Sequence, residues 1–223
     1  MGKNLSKKLI ITIDGPSGAG KSTIARMLSK DLSYAYIDTG AMYRGIAYAF
    51  RNRKREAGIE EFLEHLSIRF NFTEGTRVFL EDRDISDEIR TPDVSLLASS
   101  LSQKSSVRQY LTKIQREIGK DGGVVLEGRD TGSVVFPDAD IKFYLDADPG
   151  ERAQRRHLEF KSKGIDTGLT EVKKDMSQRD KNDSERSIAP LIIPEGAVYV
   201  DTTGIDVRGV LDILLKHVRE KGW

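Results

Sequence analysis

The 223-residue sequence predicts an α/β protein in which a mostly parallel five-stranded sheet, covered by helices on both faces, binds its ligand outside the carboxyl ends of the strands. Three observations carry this reading. Short β-branched runs alternate with longer amphipathic stretches; a glycine-rich loop stands between the first run and the first amphipathic stretch; and the length suits one core with a modest insertion.

The elements follow in order. Leu9 to Asp14 is a continuous apolar run that breaks at Gly15, Pro16, Gly18 and Gly20 before a helical stretch from Ser22 to about Leu32. Ala35 to Ile37 is a short strand, and a helix is expected from Ala41 to about Arg55, with Arg51, Arg53, Lys54 and Arg55 as its solvated end. From Ile68 to about Ile85 the apolar period drops to two, and Glu74-Gly75 marks a turn, as in a small antiparallel insert. Thr91-Pro92-Asp93 opens a helix with a Thr cap, proline at its first position and an acid at the positive end of the dipole. A second helix carries Val107, Tyr110, Leu111, Ile114 and Ile118 on one face and stops at Gly122-Gly123. Val124 to Glu127 and Ile141 to Leu145 are buried strands, and Asp148-Pro149 starts a helix through Arg152, Arg155 and Arg156. Ala197 to Val200 is the last strand, followed by an amphipathic closing helix with Val207, Val210, Leu211, Leu214 and Val218.

Composition narrows the function. Apolar residues make up 38% of the chain and charged residues 32%, against roughly 25% on average, which fits a folded protein with a polar cleft. Lys and Arg number 36 and Asp and Glu 35, so a net charge of +1 draws the chain to neither nucleic acid nor membrane, and any anion site is local. With no cysteine there is no disulfide, thiolate nucleophile, iron–sulfur cluster or Cys-based zinc site. His65, His157 and His217 are far apart, offer no ligand-spaced pair and are expected at the surface. Met1 to Ser6 formally fits a myristoylation pattern, Gly2 with Ser6, but such short motifs recur by chance. The apolar run after it is too short for a signal peptide or a membrane span, so a cytoplasmic protein is expected.

The loop Gly15-Pro16-Ser17-Gly18-Ala19-Gly20-Lys21-Ser22, extended by Thr23, matches GxxxxGK followed by Ser or Thr, between strand and helix as its mechanism requires. Its glycines let main-chain N–H groups converge on phosphate oxygens and the helix N-terminus adds partial positive charge. Lys21 reaches the β and γ phosphates, and Ser22 is the candidate Mg2+ ligand. The loop alone leaves kinases, GTPases, ATPases and nucleotide-gated binding proteins open. No Asn-Lys-x-Asp guanine reader occurs, and Asp201 to Gly204, a DxxG match, follows the last strand rather than lying mid-chain.

Transfer of a phosphoryl group between two phosphorylated molecules crowds negative charge into one cleft, which arginines must offset. Arg44 and Arg129 stand after strands, Arg155 and Arg156 share a helix, and Arg179 and Arg186 flank a polar segment. Lys161 to Asp183, with Gly164 and Gly168 before a second helix, has the composition of a lid that excludes water from the γ phosphate.

Seven segments in order give the chain a family resemblance: IDGPSGAGKST from Ile13, DTGAMYR from Asp38, EIRTPDV from Glu88, EGRDTGSVVFPDA from Glu127, ERAQRR from Glu151, QRDKNDSER from Gln178 with Ala189-Pro190-Leu191, and DTTG from Asp201. The chain resembles the bacterial cytidylate kinases over nearly its whole length. That resemblance implies the P-loop nucleoside monophosphate kinase fold, with residues 1–66 and 91–223 as core, a lid at about 157–183 and residues 67–90 as the small acceptor-side insert. It implies Mg2+ with ATP as donor and CMP or dCMP as acceptor, in pyrimidine nucleotide metabolism. Tyr43, Arg44 and Arg129 would hold the acceptor phosphate; Ser99, Arg108, Asp130 and Arg186 would surround cytosine; Arg179 and Asp183 would meet the ribose. Arg155 and Arg156 would face the transferring phosphates and the donor. Two departures stand out: the family often has Ser where this chain has Thr39, in the acceptor pocket, and Asp where it has Glu127, near the metal.

The chemistry supports a cytosine pocket on its own terms. Asp130 can accept from the exocyclic amine of cytosine and arginines can donate to N3 and O2, whereas uracil reverses the sign of several of these pairs. The expected reaction is in-line transfer with Lys21, Arg129, Arg155 and Arg179 neutralising charge and no general base, because the attacking phosphate is already an anion. The alternatives are another small-acceptor P-loop kinase, acting on UMP, AMP, dTMP or shikimate, and a nucleotide-dependent switch. With no long exposed apolar stripe, a monomer is expected.

Overall fold

The computed structural model describes residues 8–53, 58–73, 75–162 and 164–222. Gly2 and Ser6 of the terminal pattern, Lys54 and Arg55 at the expected end of the second helix, and Glu74 of the turn lie outside the described residues.

Eight strands and eight helices are described in the order β1 (Ile10–Asp14), α1 (Lys21–Leu32), β2 (Ala35–Asp38), α2 (Thr39–Arg51), α3 (Ile59–Glu64), β3 (Ile68–Asn71), β4 (Arg77–Leu80), β5 (Arg83–Asp84), α4 (Pro92–Leu101), α5 (Ser105–Gly119), β6 (Val124–Gly128), β7 (Ile141–Asp146), α6 (Pro149–Ser162), α7 (Leu169–Glu185), β8 (Val198–Asp201) and α8 (Val207–Glu220). The main sheet has five parallel strands in the order β2-β6-β1-β7-β8. From β1 the chain first builds toward β2 and later adds β7 and β8 on the other side, so the strand order reverses beside β1, where ligands of such sheets bind.

The inner strands of the sheet are dry on both faces, whereas edge strand β8 leaves Tyr199 exposed, and the period-two side-chain alternation explains how one strand serves both faces. Val125 joins the cluster of Ile11, Ile13, Phe143 and Leu145 under α1 and α8, while Val124 and Leu126 join Ile37, Met42, Ile46 and Leu111 on the opposite face. The register then lines up polar residues along one edge: Asp38 lies beside Glu127, Asp14 beside Gly128, and Asp146 beside Asp201. A carboxylate at the last position of four strands and at the next-to-last of β6 makes that edge the polar one.

The insert is a three-stranded antiparallel sheet, β3-β4-β5, as the alternation implied. It is not separate from the core: Val78, Ile85 and Ile89 share a cluster with Met42 and Ile46 of α2. Gly45 permits the approach, since a Cβ there would lie 2.8 Å from the Val78 side chain. Thr76 splices the insert to the sheet edge, accepting from the Asp38 amide at 2.7 Å and donating to the Tyr36 carbonyl at 3.0 Å.

Several expectations need correction. Helix α2 ends at Arg51, not near Arg55: the Asn52 amide still reaches the Tyr48 carbonyl, but the next amide, of Arg53, turns to the Phe50 carbonyl three residues back. The Thr91 hydroxyl makes no capping bond, although Pro92 opens α4 as expected. Only His65 is exposed; His157 and His217 are half-buried, the latter with its ring edge against Phe143. Helix α3 was not anticipated, since six residues are too few for a helical period to register.

Candidate active site

Glycine conformation shapes the loop between β1 and α1. Gly15 has φ +145°, and a Cβ there would lie 1.9 Å from the Leu145 carbonyl oxygen, so the chain passes over β7 with no room for a side chain. Gly20, at φ +86°, caps α1. Ser17, Gly18, Ala19, Gly20, Lys21, Ser22 and Thr23 line a cleft of about 1300 Å3, while Gly15 and Pro16 lie behind it. Lys21 Nζ donates to the Pro16 carbonyl at 2.6 Å. Burial, reinforced by Arg129, pushes the Lys21 amine down to about 7, so its charge is held weakly and is favoured by an anion placed beside it.

Beside the loop, hard oxygen donors meet. Ser22 Oγ donates to Glu127 Oε1 at 2.5 Å and the Tyr36 hydroxyl donates to the same oxygen at 3.0 Å. Burial, then the neighbouring Asp38, raise the Glu127 carboxyl above its usual range. Among the described residues no three His, Cys, Asp or Glu side chains cluster as a metal cage. A hydroxyl and a carboxylate next to a phosphate loop do fit Mg2+, which keeps waters and takes nucleotide phosphates as further ligands. Thr39 is turned elsewhere: Oγ1 donates to the Glu127 carbonyl at 2.7 Å and ties α2 to β6.

Elsewhere in the cleft, arginines and carboxylates alternate in an unbroken row. Arg129 Nε lies 2.9 Å from Asp183 Oδ2, Asp183 Oδ1 is 3.4 Å from Arg186 Nη1, Arg186 Nη2 is 3.6 Å from Asp130 Oδ1, and Asp130 Oδ2 pairs with Arg108. Arg108 also donates to the Ser102 carbonyl at 3.0 Å and lies over the Tyr43 ring. Burial alone would raise Asp183, but Arg129, Arg179 and Arg186 outweigh it and hold its carboxyl below the usual range. Arg44 pairs with Asp38 at 3.1 Å. Nε of Arg44, Nε of Arg179 and Nη2 of Arg186 are buried with no hydrogen-bond partner in the protein. Three unsatisfied guanidinium donors in one cleft describe a site built for anionic or carbonyl acceptors.

Three further arginines of α6 and α7 are placed differently from one another. Arg155 donates to Oγ1 and the carbonyl of Thr202, at 2.9 and 2.7 Å, and pairs with Glu151, so it is bound to the loop after β8. Arg156 pairs with Glu159 at 2.6 Å and covers the Phe160 ring. Arg179 projects from α7 into the cleft, where burial, then Arg129, lower its pKa to about 10, leaving it charged at neutral pH. Ser99, on α4, also lines the cleft.

The profile of the family described as cytidylate kinase matches residues 11–220. The chain belongs to the cytidylate kinase family. A cytidylate kinase of Syntrophotalea carbinolica is 47% identical over 222 residues, covering 97% of this chain and 94% of that protein. One of Bacillus cereus is 43% identical over 219 residues, covering 96% and 97%. Among solved structures, a shikimate kinase from Acinetobacter baumannii in complex with shikimate aligns over 99% of this chain and 98% of its own with a TM-score of 0.50, and TT1252 from Thermus thermophilus over 98% and 100% with 0.52. At 17% identity each shares the fold.

Three residues that support this cytidylate kinase cleft were not singled out as site residues from sequence. Asp14, buried at the end of β1, accepts from Thr131 N, Thr131 Oγ1 and Gly132 N at 2.9, 2.8 and 2.7 Å, holding the single wide π turn that follows Arg129 and Asp130. A carboxylate ending an apolar strand was the available signal, since a buried acid requires partners. Arg152 and Asp180 bracket Ser17; they pass in sequence as members of charged helices.

Proposed function

We propose that this member of the family transfers the γ phosphoryl group of ATP to the phosphate of CMP or dCMP, giving CDP or dCDP and ADP. A cleft larger than the several hundred Å3 of one small-ligand site is flanked at one end by the phosphate loop and at the other by the Arg129–Asp183–Arg186–Asp130–Arg108 row. That row is the observation that carries the reading. Asp130 accepts from the cytosine amine, Arg108 and Arg186 face its ring acceptors, Arg179 and Asp183 take the ribose, and Tyr43, Arg44 and Arg129 take the acceptor phosphate. Ser99 and Thr39 shape the pocket walls.

The acceptor phosphate oxygen attacks the γ phosphorus as the bond to the β-bridging oxygen breaks, and ADP leaves with that electron pair. No proton need be removed, so positioning and charge neutralisation supply the catalysis. Lys21 and the amides of the phosphate loop follow the charge on the donor; Arg129 and Arg179 follow it on the group in flight; Arg155 and Arg156 hold the donor side. Mg2+, held by Ser22 with Glu127, supplies positive charge to the β and γ phosphates when bound. Residues 157–183 act as a lid that keeps water out, residues 67–90 as an acceptor-side subdomain joined to a core of 1–66 and 91–223, and the chain works as a cytoplasmic monomer. No described helix is long and apolar enough to cross a membrane.

Incubation with γ-labelled ATP and CMP tests the reading. The label should appear in the β phosphate of CDP; release as inorganic phosphate whether or not CMP is present would point instead to a switch.

A further inference from the structure

We infer that Arg152 and Asp180, which do not line the cleft, form a clamp that locks the phosphate loop to helix α7 and thereby sets where Arg179 stands over the loop. The inference rests on the kinase reading of the cleft. Ser17 is its pivot. Asp180 Oδ1 accepts from the Ser17 amide at 3.0 Å and Arg152 Nη1 donates to the Ser17 carbonyl at 2.8 Å, so one ion pair satisfies both main-chain groups of a loop residue. The pair closes on itself, Arg152 Nη1 to Asp180 Oδ2 at 2.5 Å, and Arg152 Nε donates to the Ala147 carbonyl at 3.1 Å, anchoring the assembly just beyond the end of β7.

Packing supports the same conclusion. Ala153, Val172 and Met176 form a small apolar cluster between α6 and α7, apart from the two main ones. Gly18, next to Ser17, abuts it: a Cβ there would lie 2.7 Å from the Arg152 carbonyl and 2.8 Å from the Met176 methyl. The loop is therefore seated on the helical pair through successive residues. A Ser17 amide engaged by Asp180 is not offered to a phosphate oxygen, so the clamp also decides which loop amides face the cleft. Residues adjacent in a helix point about 100° apart, so with Asp180 fixed on the outer side of the loop, Arg179 is directed into the cleft, where its Nε has no protein partner. Arg152 and Asp180 are positioning residues, because they act through Ser17 and Arg179.

Melting temperature, Mg-ATP affinity, CMP-dependent ADP release and CMP-independent ATP hydrolysis are to be measured on the full chain, on Asp180→Asn, on Asp180→Ala, on Arg152→Ala, on Arg152→Ala with Asp180→Ala, and on Lys181→Ala as a control in the same helix. Asp180→Ala should slow transfer about a hundredfold, the cost of displacing a reacting group by about 1 Å, and should raise the ratio of hydrolysis to transfer, because a loosened lid admits water. Asp180→Asn keeps an oxygen for the Ser17 amide and should fall between wild type and Asp180→Ala at a nearly normal melting temperature. The double variant should be no slower than Asp180→Ala, as for residues acting as one unit, and Lys181→Ala should match wild type. A folded Asp180→Asn with the wild-type ratio and wild-type Mg-ATP affinity would overturn the clamp, as would losses that simply multiply in the double variant. If the wild type makes no CDP, the acceptor reading fails and the clamp is judged by Mg-ATP affinity: about tenfold weaker binding in Asp180→Asn upholds it, and unchanged binding refutes it.

Discussion

At the residue scale, function depends on charges held in a dry place without their full complement of partners. Lys21 is the clearest case, because burial brings its amine to about 7 in the free protein while bound phosphates favour the ammonium. The sign follows: above pH 7 the free amine is neutral, a proton must be taken up on binding, and Mg-ATP affinity should fall by up to about tenfold per pH unit. Calorimetry at pH 8 in two buffers of different ionisation enthalpy should detect that uptake. Lys21→Met should lose roughly 10²–10³ in turnover, the usual cost of removing a preorganised charge, with an unchanged circular dichroism spectrum. Asp130→Ala should reduce the preference for CMP over UMP by about 1–3 kcal/mol, one reversed hydrogen-bond pair, with Mg-ATP affinity little altered, as competition assays would show. Most of these side chains were legible in the sequence because chemistry marks them: a lysine after GxxxxG, arginines after strand ends. Asp14, Arg152 and Asp180 were not, because their partners are main-chain groups more than a hundred residues away, and sequence spacing carries no trace of such contacts.

At the element scale, the strand–loop–helix unit is the rigid part, and close backbone approach makes it so. Gly15→Ala combines a left-handed φ with a Cβ 1.9 Å from a β7 carbonyl, so it should cost about 2–6 kcal/mol in denaturant unfolding. Gly168→Ala, at the start of α7 with nothing within 4 Å, should stay within about 0.5 kcal/mol of wild type. The five sheet strands were readable because each is a short apolar run bounded by turn residues, and α1, α5 and α8 because their apolar faces keep a helical period. The short elements escaped for the opposite reason. Helix α3 and the two-residue β5 hold too few residues to set a period, and the end of α2 is marked by a single amide, that of Arg53, turning to a carbonyl three residues back.

At the scale of the whole molecule, one sheet edge organises the cleft. The strand ends bring Asp14, Asp38 and Glu127 together beneath the phosphate loop, and the turn after β6 carries Arg129 and Asp130 toward the side where α2, α4 and α5 meet the insert. The insert's alternation was visible, but its fusion with the core through Gly45, Val78 and Thr76 was not, since period alone does not say what a strand's inner face will meet. In this arrangement α6 and α7 are tied to the phosphate loop through Arg152 and Asp180. ADP release from Mg-ATP across a panel of acceptors, CMP, dCMP, UMP, AMP, dTMP and shikimate, tests phosphoryl transfer to a cytosine nucleotide most directly. CMP and dCMP should drive release well above the acceptor-free rate and above every other member of the panel. Release that favours another acceptor, or that proceeds equally with none, would contradict it.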